Sequence, residues 1–317
     1  AVVATATATS TAVAASRDGI DGVFIGGTDN DNDGDDDDDD GVMSSNWLSH
    51  AMIRVPDVNA TVDYWVGRGG TRTSYRRAPP PSGSETAFVS IGNGAEKDGA
   101  PPSDRCFSLE ITSLPPSEKF RPGNAVEYFG TSMLLDFMGD LMGAAAGSKP
   151  ARKRGAADEE PNGFEVRSVA SGPGDYFSRI CLRAAFNGDG EEEEDDGGLR
   201  RTEDFYTRLL GMKVVASDAD LVCLRFKRGG DYGVPTTLVF VRGKRDEGLD
   251  HGNCFDHIVV STGDVEEAAE KLKTEVDDGV IFMQPKDMFG TKIMGIKDPN
   301  GYKLYLAEMD SRIDEST

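Results

Sequence analysis

The sequence predicts an α+β protein assembled from a repeated βαβββ unit, and three stretches carry that prediction. Asn253 to Glu308 holds one complete unit, Trp47 to Thr112 a second, and Asp175 to Val241 a third. In each, an apolar run leads into a segment with helical spacing, and short alternating runs follow it. At 317 residues the chain is long enough for one or two domains with real cores.

The last unit is the clearest. An apolar run, Phe255 to Val260, precedes Asp264, a helix N-cap residue, and then Val265, Ala268, Ala269, Leu272 and Val276 recur at helical spacing. Three strand-like runs follow. Asp298-Pro299-Asn300-Gly301 reverses the chain between the last two, because Pro fixes φ and Asn-Gly tolerates φ > 0. Strict alternation places Phe255, His257 and Val259 on one face of the first strand, and Lys303, Tyr305 and Ala307 on one face of the last.

The first unit begins at Trp47. Leu48 to Val55 reads as a strand, a helix starts near Asp57 or Asn59, and a second strand leaves Gly69-Gly70. After a Pro-rich insert, Ala78 to Ser84, Thr86 to Ile91 and Arg105 to Thr112 read as further strands. Alternation puts His50, Met52 and Arg54 on one face against Ala51, Ile53 and Val55. It likewise sets Ser108, Glu110 and Thr112 against Phe107, Leu109 and Ile111. Polar faces that open with His and close with Glu point to a lined cavity rather than to open solvent.

Between these units the pattern is weaker. Asn124 to Gly147 reads as a strand end and a Met-rich helix whose methionines serve packing, Lys149 to Arg154 as a loop, and Phe164 to Val169 as a strand. This second module is eroded. From Asp175, YFSRICLRAAF is a strand, and the helix LRRTEDFYTRLLGM runs into another. Leu221 to Lys227 and Thr236 to Val241 complete the third unit.

The formal net charge is −22, but 29–40 holds nine Asp and 191–196 six acids, and without those fifteen it is −7. Such runs are solvated, disordered inserts. Nucleic acid is disfavoured as a partner, since phosphate binding needs clustered Lys and Arg, and these do not dominate the chain. Residues 1–46 read as a low-complexity, disordered segment, and Ala1 to Ser16 as either a targeting remnant or a plain tail. Cys106, Cys181, Cys223 and Cys254 lack CxxC spacing and read as buried thiols, with two disulfides as the alternative; thiols predict a reducing compartment, a plastid or other organelle or else the cytoplasm. No apolar run reaches membrane-spanning length, so a bilayer-embedded protein is not expected.

The segments FDHIVVSTGDVEEAAEKL, GTKIMGIKDPNGYKLYL, HAMIRVPDVNATVDYW, CFSLEITSL and FYTRLLGM together resemble the vicinal oxygen chelate superfamily, and within it glyoxalase I (lactoylglutathione lyase). The resemblance implies βαβββ modules paired into half-barrels in a fused two-domain chain: 47–175 as the N-terminal glyoxalase-like domain and 176–310 as the C-terminal one, with an acidic insert at 187–198. It further implies that the first module pairs with the fourth around one site, and the second with the third around another. On that basis His50, Glu110 and His257 are metal ligands, and Glu110 is also the catalytic carboxylate. Arg54 contacts a glutathione carboxylate, and Tyr305 stands at the fourth ligand position. Tyr305 replaces the carboxylate that the family uses as base, and Leu114 replaces an Asn. The second site, at Tyr128 or a neighbour, Arg179 and Val239, is expected to hold no cation.

Two imidazoles and a carboxylate suit Zn²⁺ or Ni²⁺, and Fe²⁺ less well. The activity this implies is isomerisation of the methylglyoxal–glutathione hemithioacetal at a single site, by a monomer whose two domains act as a pseudo-dimer. Two alternatives remain open: an iron-dependent dioxygenase-like member, or a non-catalytic binding or scaffold protein that needs no metal.

Overall fold

The computed structural model describes residues 46–68, 70–77, 84–90, 107–132, 158–169, 177–186, 197–227, 236–244, 247–277, 279–288 and 290–308. The Asp run, most of the Pro-rich insert, the Met-rich segment beyond Ser132, the basic loop, Cys106 and the acidic run lie outside these residues. At the first described residue, Asn46 is buried and donates its side-chain amide to the Leu210 carbonyl.

The first module contains β1 (Trp47–Val55), α1 (Val58–Gly67), β2 (Thr71–Arg77), β3 (Glu85–Ser90) and β4 (Ser108–Ser113). The second contributes β5 (Val126–Ser132), β6 (Asp158–Glu159) and β7 (Glu165–Val169). The third holds β8 (Phe177–Arg183), α2 (Gly197–Asp204) with a π-helical turn at Phe205–Leu209, β9 (Lys213–Ser217), β10 (Leu221–Arg225) and β11 (Thr237–Val241). The fourth is β12 (Phe255–Thr262), α3 (Val265–Glu275), β13 (Ile281–Met288), β14 (Thr291–Lys297) and β15 (Lys303–Glu308). Helix α2 begins inside the expected acidic insert, at Gly197.

The helices start where capping chemistry allows. Asp57 accepts a bond from the Ala60 amide, and Asp264 accepts from Glu266 and Glu267, which satisfies otherwise orphaned donors of the first turn. Helix α1 then buries Val58, Thr61, Val62 and Trp65, and α3 buries Val265, Ala268, Ala269 and Leu272. Those are the positions that helical periodicity selects.

The strands form two sheets, in the orders β13-β14-β15-β12-β1-β4-β3-β2 and β6-β7-β5-β8-β11-β10-β9. The first sheet unites the first and last modules through the antiparallel β1–β12 pair. The second unites the middle two through β5–β8. One apolar core, including Ile53, Trp65, Leu109, Phe129, Ile180, Phe240, Ile258 and Leu304, takes residues from both sheets and from the helices.

The connecting stretches 114–125 and 247–254 lie side by side and tie the halves together. Arg121 and Asn253 exchange bonds, as do Asn124 and Asp250, and Arg121 is ion-paired to Asp250. Between them Gly123 (φ 71°) and Gly252 (φ 59°) face one another, and a Cβ on either would run into the other stretch's backbone.

Candidate metal centre

Where β1 and β12 pair, the register slips twice. Leu48 opposes Val260 and His50 opposes Val259, so Ser49 is an extra residue. Met52 opposes His257 and Ile53 opposes Phe255, so Asp256 is another. Each extra residue forms a bulge, which lets two successive side chains leave the core. Leu48 and Ala51 stay buried while Ser49 and His50 turn outward; Phe255 and Ile258 stay buried while Asp256 and His257 turn outward. This corrects the alternation read from sequence: Phe255 does not share a face with His257 but belongs to the core.

The outward face collects the expected residues. Glu110 lies on β4, which runs parallel to β1 with Met52 opposite Glu110. His50 Nε2 is 3.4 Å from Glu110 Oε2, and the His50 and His257 rings are 6.2 Å apart, edge to face. One ligand atom from each of His50, Glu110 and His257 lies within 4.8 Å of the others. Metal bonds of about 2.0–2.2 Å require ligand atoms about 3–4.4 Å apart, so a pair at the outer limit must close by a few tenths of an ångström for opposed ligands and by roughly 1 Å for a tetrahedral set. Both imidazoles already use Nδ1: Ser49 Oγ is 3.1 Å from that of His50, and Asp256 Oδ2 is 2.8 Å from that of His257. That leaves Nε2 of each for the site.

Tyr305 closes one side. Its ring contacts His257 edge to face at 4.7 Å and Phe282 at 5.6 Å, while Phe88 flanks His50 at 5.5 Å. Burial raises the Tyr305 pKa, and the nearby Asp256 charge raises it further, so its phenol is protonated at neutral pH. Arg54 Nη2 lies 3.2 Å from Asp256 Oδ1, and Lys303 Nζ is 3.3 Å from the same oxygen. Burial works to raise the Asp256 pKa. The bond from His257, and the charges of His257, Arg54 and Lys303, outweigh it and hold this carboxyl well below the usual carboxylate range.

The second sheet repeats the two bulges. Glu127 and Ser178 are its extra residues, so Tyr128 takes the place of His50 and Arg179 that of His257. By the same register Arg167, opposite Gly130, stands where Glu110 does, and Val239, opposite Cys181, where Tyr305 does. The Arg167 guanidinium lies over the Tyr128 ring at 4.3 Å, and Arg179 is buried. Tyr128, Val169, Cys181, Leu221, Cys223 and Val239 pack together as an apolar cluster on this sheet. Two arginines and an apolar lining are unfit for a cation. Arg167 escaped the sequence reading because its register depends on the Glu127 bulge.

Three comparisons bear on this arrangement. Residues 196–306 match the family model described as Glyoxalase/Bleomycin resistance protein/Dioxygenase superfamily. A lactoylglutathione lyase of Neisseria meningitidis is 31% identical over 121 residues, which is 37% of this chain and 88% of that protein. The chain belongs to this superfamily. A lactoylglutathione lyase of rice, Oryza sativa subsp. japonica, is 24% identical over 291 residues, 82% of this chain and 89% of that one. The crystal structure of glyoxalase I from Zea mays superposes with a TM-score of 0.61 at 23% identity, covering 86% of this chain and 95% of that chain. The glyoxalase fold thus extends over most of this superfamily member, whereas the family model matches only the stretch that contains His257 and Tyr305. Cys181, Cys223 and Cys254 are buried free thiols, and among the described residues no helix is long and apolar enough to cross a membrane.

Proposed function

We propose that this glyoxalase I-like chain is a lactoylglutathione lyase with one metal site, built from His50, Glu110 and His257, and that its halves, 47–175 and 176–310, act as a pseudo-dimer within a monomer. The observation that carries the reading is the convergence of those three ligands from the first and last modules. Zn²⁺ or Ni²⁺ suits two imidazoles and a carboxylate, and when bound supplies Lewis-acid stabilisation of an enediolate oxygen.

The chain's own residues divide the remaining work. Arg54, beside the site and partly exposed, binds a carboxylate of the glutathione moiety. Phe88 against His50 and Tyr305 against His257, the latter backed by the more exposed Phe282, keep water from the reacting carbons. Isomerisation moves a proton from the carbon bearing sulfur to its neighbour, and that step needs a base. Tyr305 is protonated and Asp256 is committed to three partners, so Glu110 takes the proton at its carboxylate and returns it to the adjacent carbon.

The test is thioester formation from hemithioacetal by Zn²⁺- or Ni²⁺-loaded protein. Turnover that disappears on chelation and returns with metal is expected; metal-loaded protein that forms no thioester contradicts the proposal. A second reading has one specific support, since two histidines and one carboxylate are also the donor set of iron oxygenases. Turnover of a catechol with Fe²⁺, and none of hemithioacetal, favours it.

A further inference from the structure

We infer that Asp256 is a positioning residue that joins the His257 ligand to the cationic subsite, with one carboxylate oxygen serving each. The inference rests on the metal reading of His50, Glu110 and His257. Asp256 reaches the site only because it is a bulge residue: without the slip between Met52 and Ile53 its side chain would point into the core beside Ile258 and Val260. A charge there would be strongly destabilising. Instead Oδ2 meets His257 Nδ1 at 2.8 Å, while Oδ1 faces Arg54 at 3.2 Å and Lys303 at 3.3 Å.

Each half of that arrangement has a consequence. A carboxylate on Nδ1 fixes the tautomer with the proton on Nδ1, turns the Nε2 lone pair to the site, and makes the imidazole a better donor to a cation. On the other oxygen, one negative charge faces two positive ones. The Arg54–Asp256–Lys303 group therefore keeps a net charge of about +1 for an incoming carboxylate. Lys303 stands opposite His257 in the ladder, so a substrate carboxylate held by Arg54 and Lys303 abuts the residue that holds the ligand.

The two histidines are not equivalent. At the matching bulge of β1 the partner is Ser49, a neutral hydroxyl at 3.1 Å. In the second sheet the same bulge positions hold Glu127 and Ser178 next to Tyr128 and Arg179; there is no imidazole to orient, and Glu127 accepts from Arg183 instead. A charged orienter beside a histidine thus occurs only at His257 among these four positions.

The experiment measures Zn²⁺ affinity by competition with a chromophoric chelator for the wild-type protein, Asp256→Asn and Ser49→Ala, and the thermal midpoint of each without metal. Asp256→Asn keeps the shape and removes the charge. It is expected to weaken Zn²⁺ binding about 10–100-fold, with Ser49→Ala losing less, and, since the pairs with Arg54 and Lys303 go with the charge, to lower the metal-free midpoint while keeping a single cooperative transition. Wild-type affinity in Asp256→Asn overturns the inference while leaving the metal site standing. A weaker affinity matched by loss of that cooperative transition also overturns it, since the role is then structural. A wild-type protein that binds no Zn²⁺ overturns both readings.

Discussion

His50 and His257 stand on neighbouring antiparallel strands with their rings edge to face, 6.2 Å apart, although one opens the first module and the other opens the last. Each faces outward because of a bulge, and Glu110 joins them from the next strand. The site therefore exists only while both ends of the chain share a sheet.

Glu110 is the base in this account, so Glu110→Gln should cost far more in turnover than in substrate binding. At saturating metal kcat is expected to fall about 10²–10⁴-fold, as for the loss of a general base, with KM changed much less. Steady-state kinetics on hemithioacetal checks this, and an unchanged kcat assigns the proton transfer elsewhere.

Arg54→Ala should act the other way. Losing one charge-assisted contact worth about 1.5–3 kcal/mol raises KM roughly 10–150-fold while kcat changes little. Desthio or decarboxylated analogues of glutathione tested as inhibitors would show whether the carboxylate is what Arg54 reads.

The turn before β15 carries a buried acid. Burial pushes the Asp298 carboxyl up to about 6, against bonds it accepts from Asn300, Tyr302 and Tyr206. Its folded pKa thus exceeds the ordinary 3.8, so the folded state holds this proton more tightly than the unfolded one. The contribution is present in full below about pH 3.8 and lost as pH rises through about 6, amounting to about 3 kcal/mol. Denaturant titrations from pH 4 to 7.5 should show that Asp298→Asn removes this component of the pH slope. Parallel curves for the two proteins would contradict it.

Gly252→Ala should destabilise the chain by about 1–3 kcal/mol, because the residue sits at positive φ with the backbone of Arg121 and Gly123 where a Cβ would go. A lowered denaturant midpoint at constant m is the expected result. Since β12 starts at Phe255, three residues on, metal affinity should fall with it.

Much of this was legible in the sequence. The caps Asp57 and Asp264 and the DPNG turn are local chemistry, and they stand where short-range rules put them. His50 and Glu110 were readable because, past the Ser49 bulge, His50 and Arg54 alternate with the buried Ala51, Ile53 and Val55, and Glu110 alternates with the buried Leu109 and Ile111. What alternation could not show was the pair of bulges. Nothing in the residues Leu48-Ser49-His50 or Phe255-Asp256-His257 announces a slipped register, because a bulge is set by the partner strand. Hence Phe255 was placed on the wrong face, while Asp256 as an orienter and Arg167 as the counterpart of Glu110 were missed altogether.

The central claim is one metal ion held by His50, Glu110 and His257, and metal analysis of the reconstituted protein tests it most directly. The account predicts about one equivalent of Zn²⁺ or Ni²⁺ in the wild type, not two, and its loss in both His50→Ala and His257→Ala. Protein that takes up no metal, or that keeps its equivalent when either histidine is removed, would contradict it.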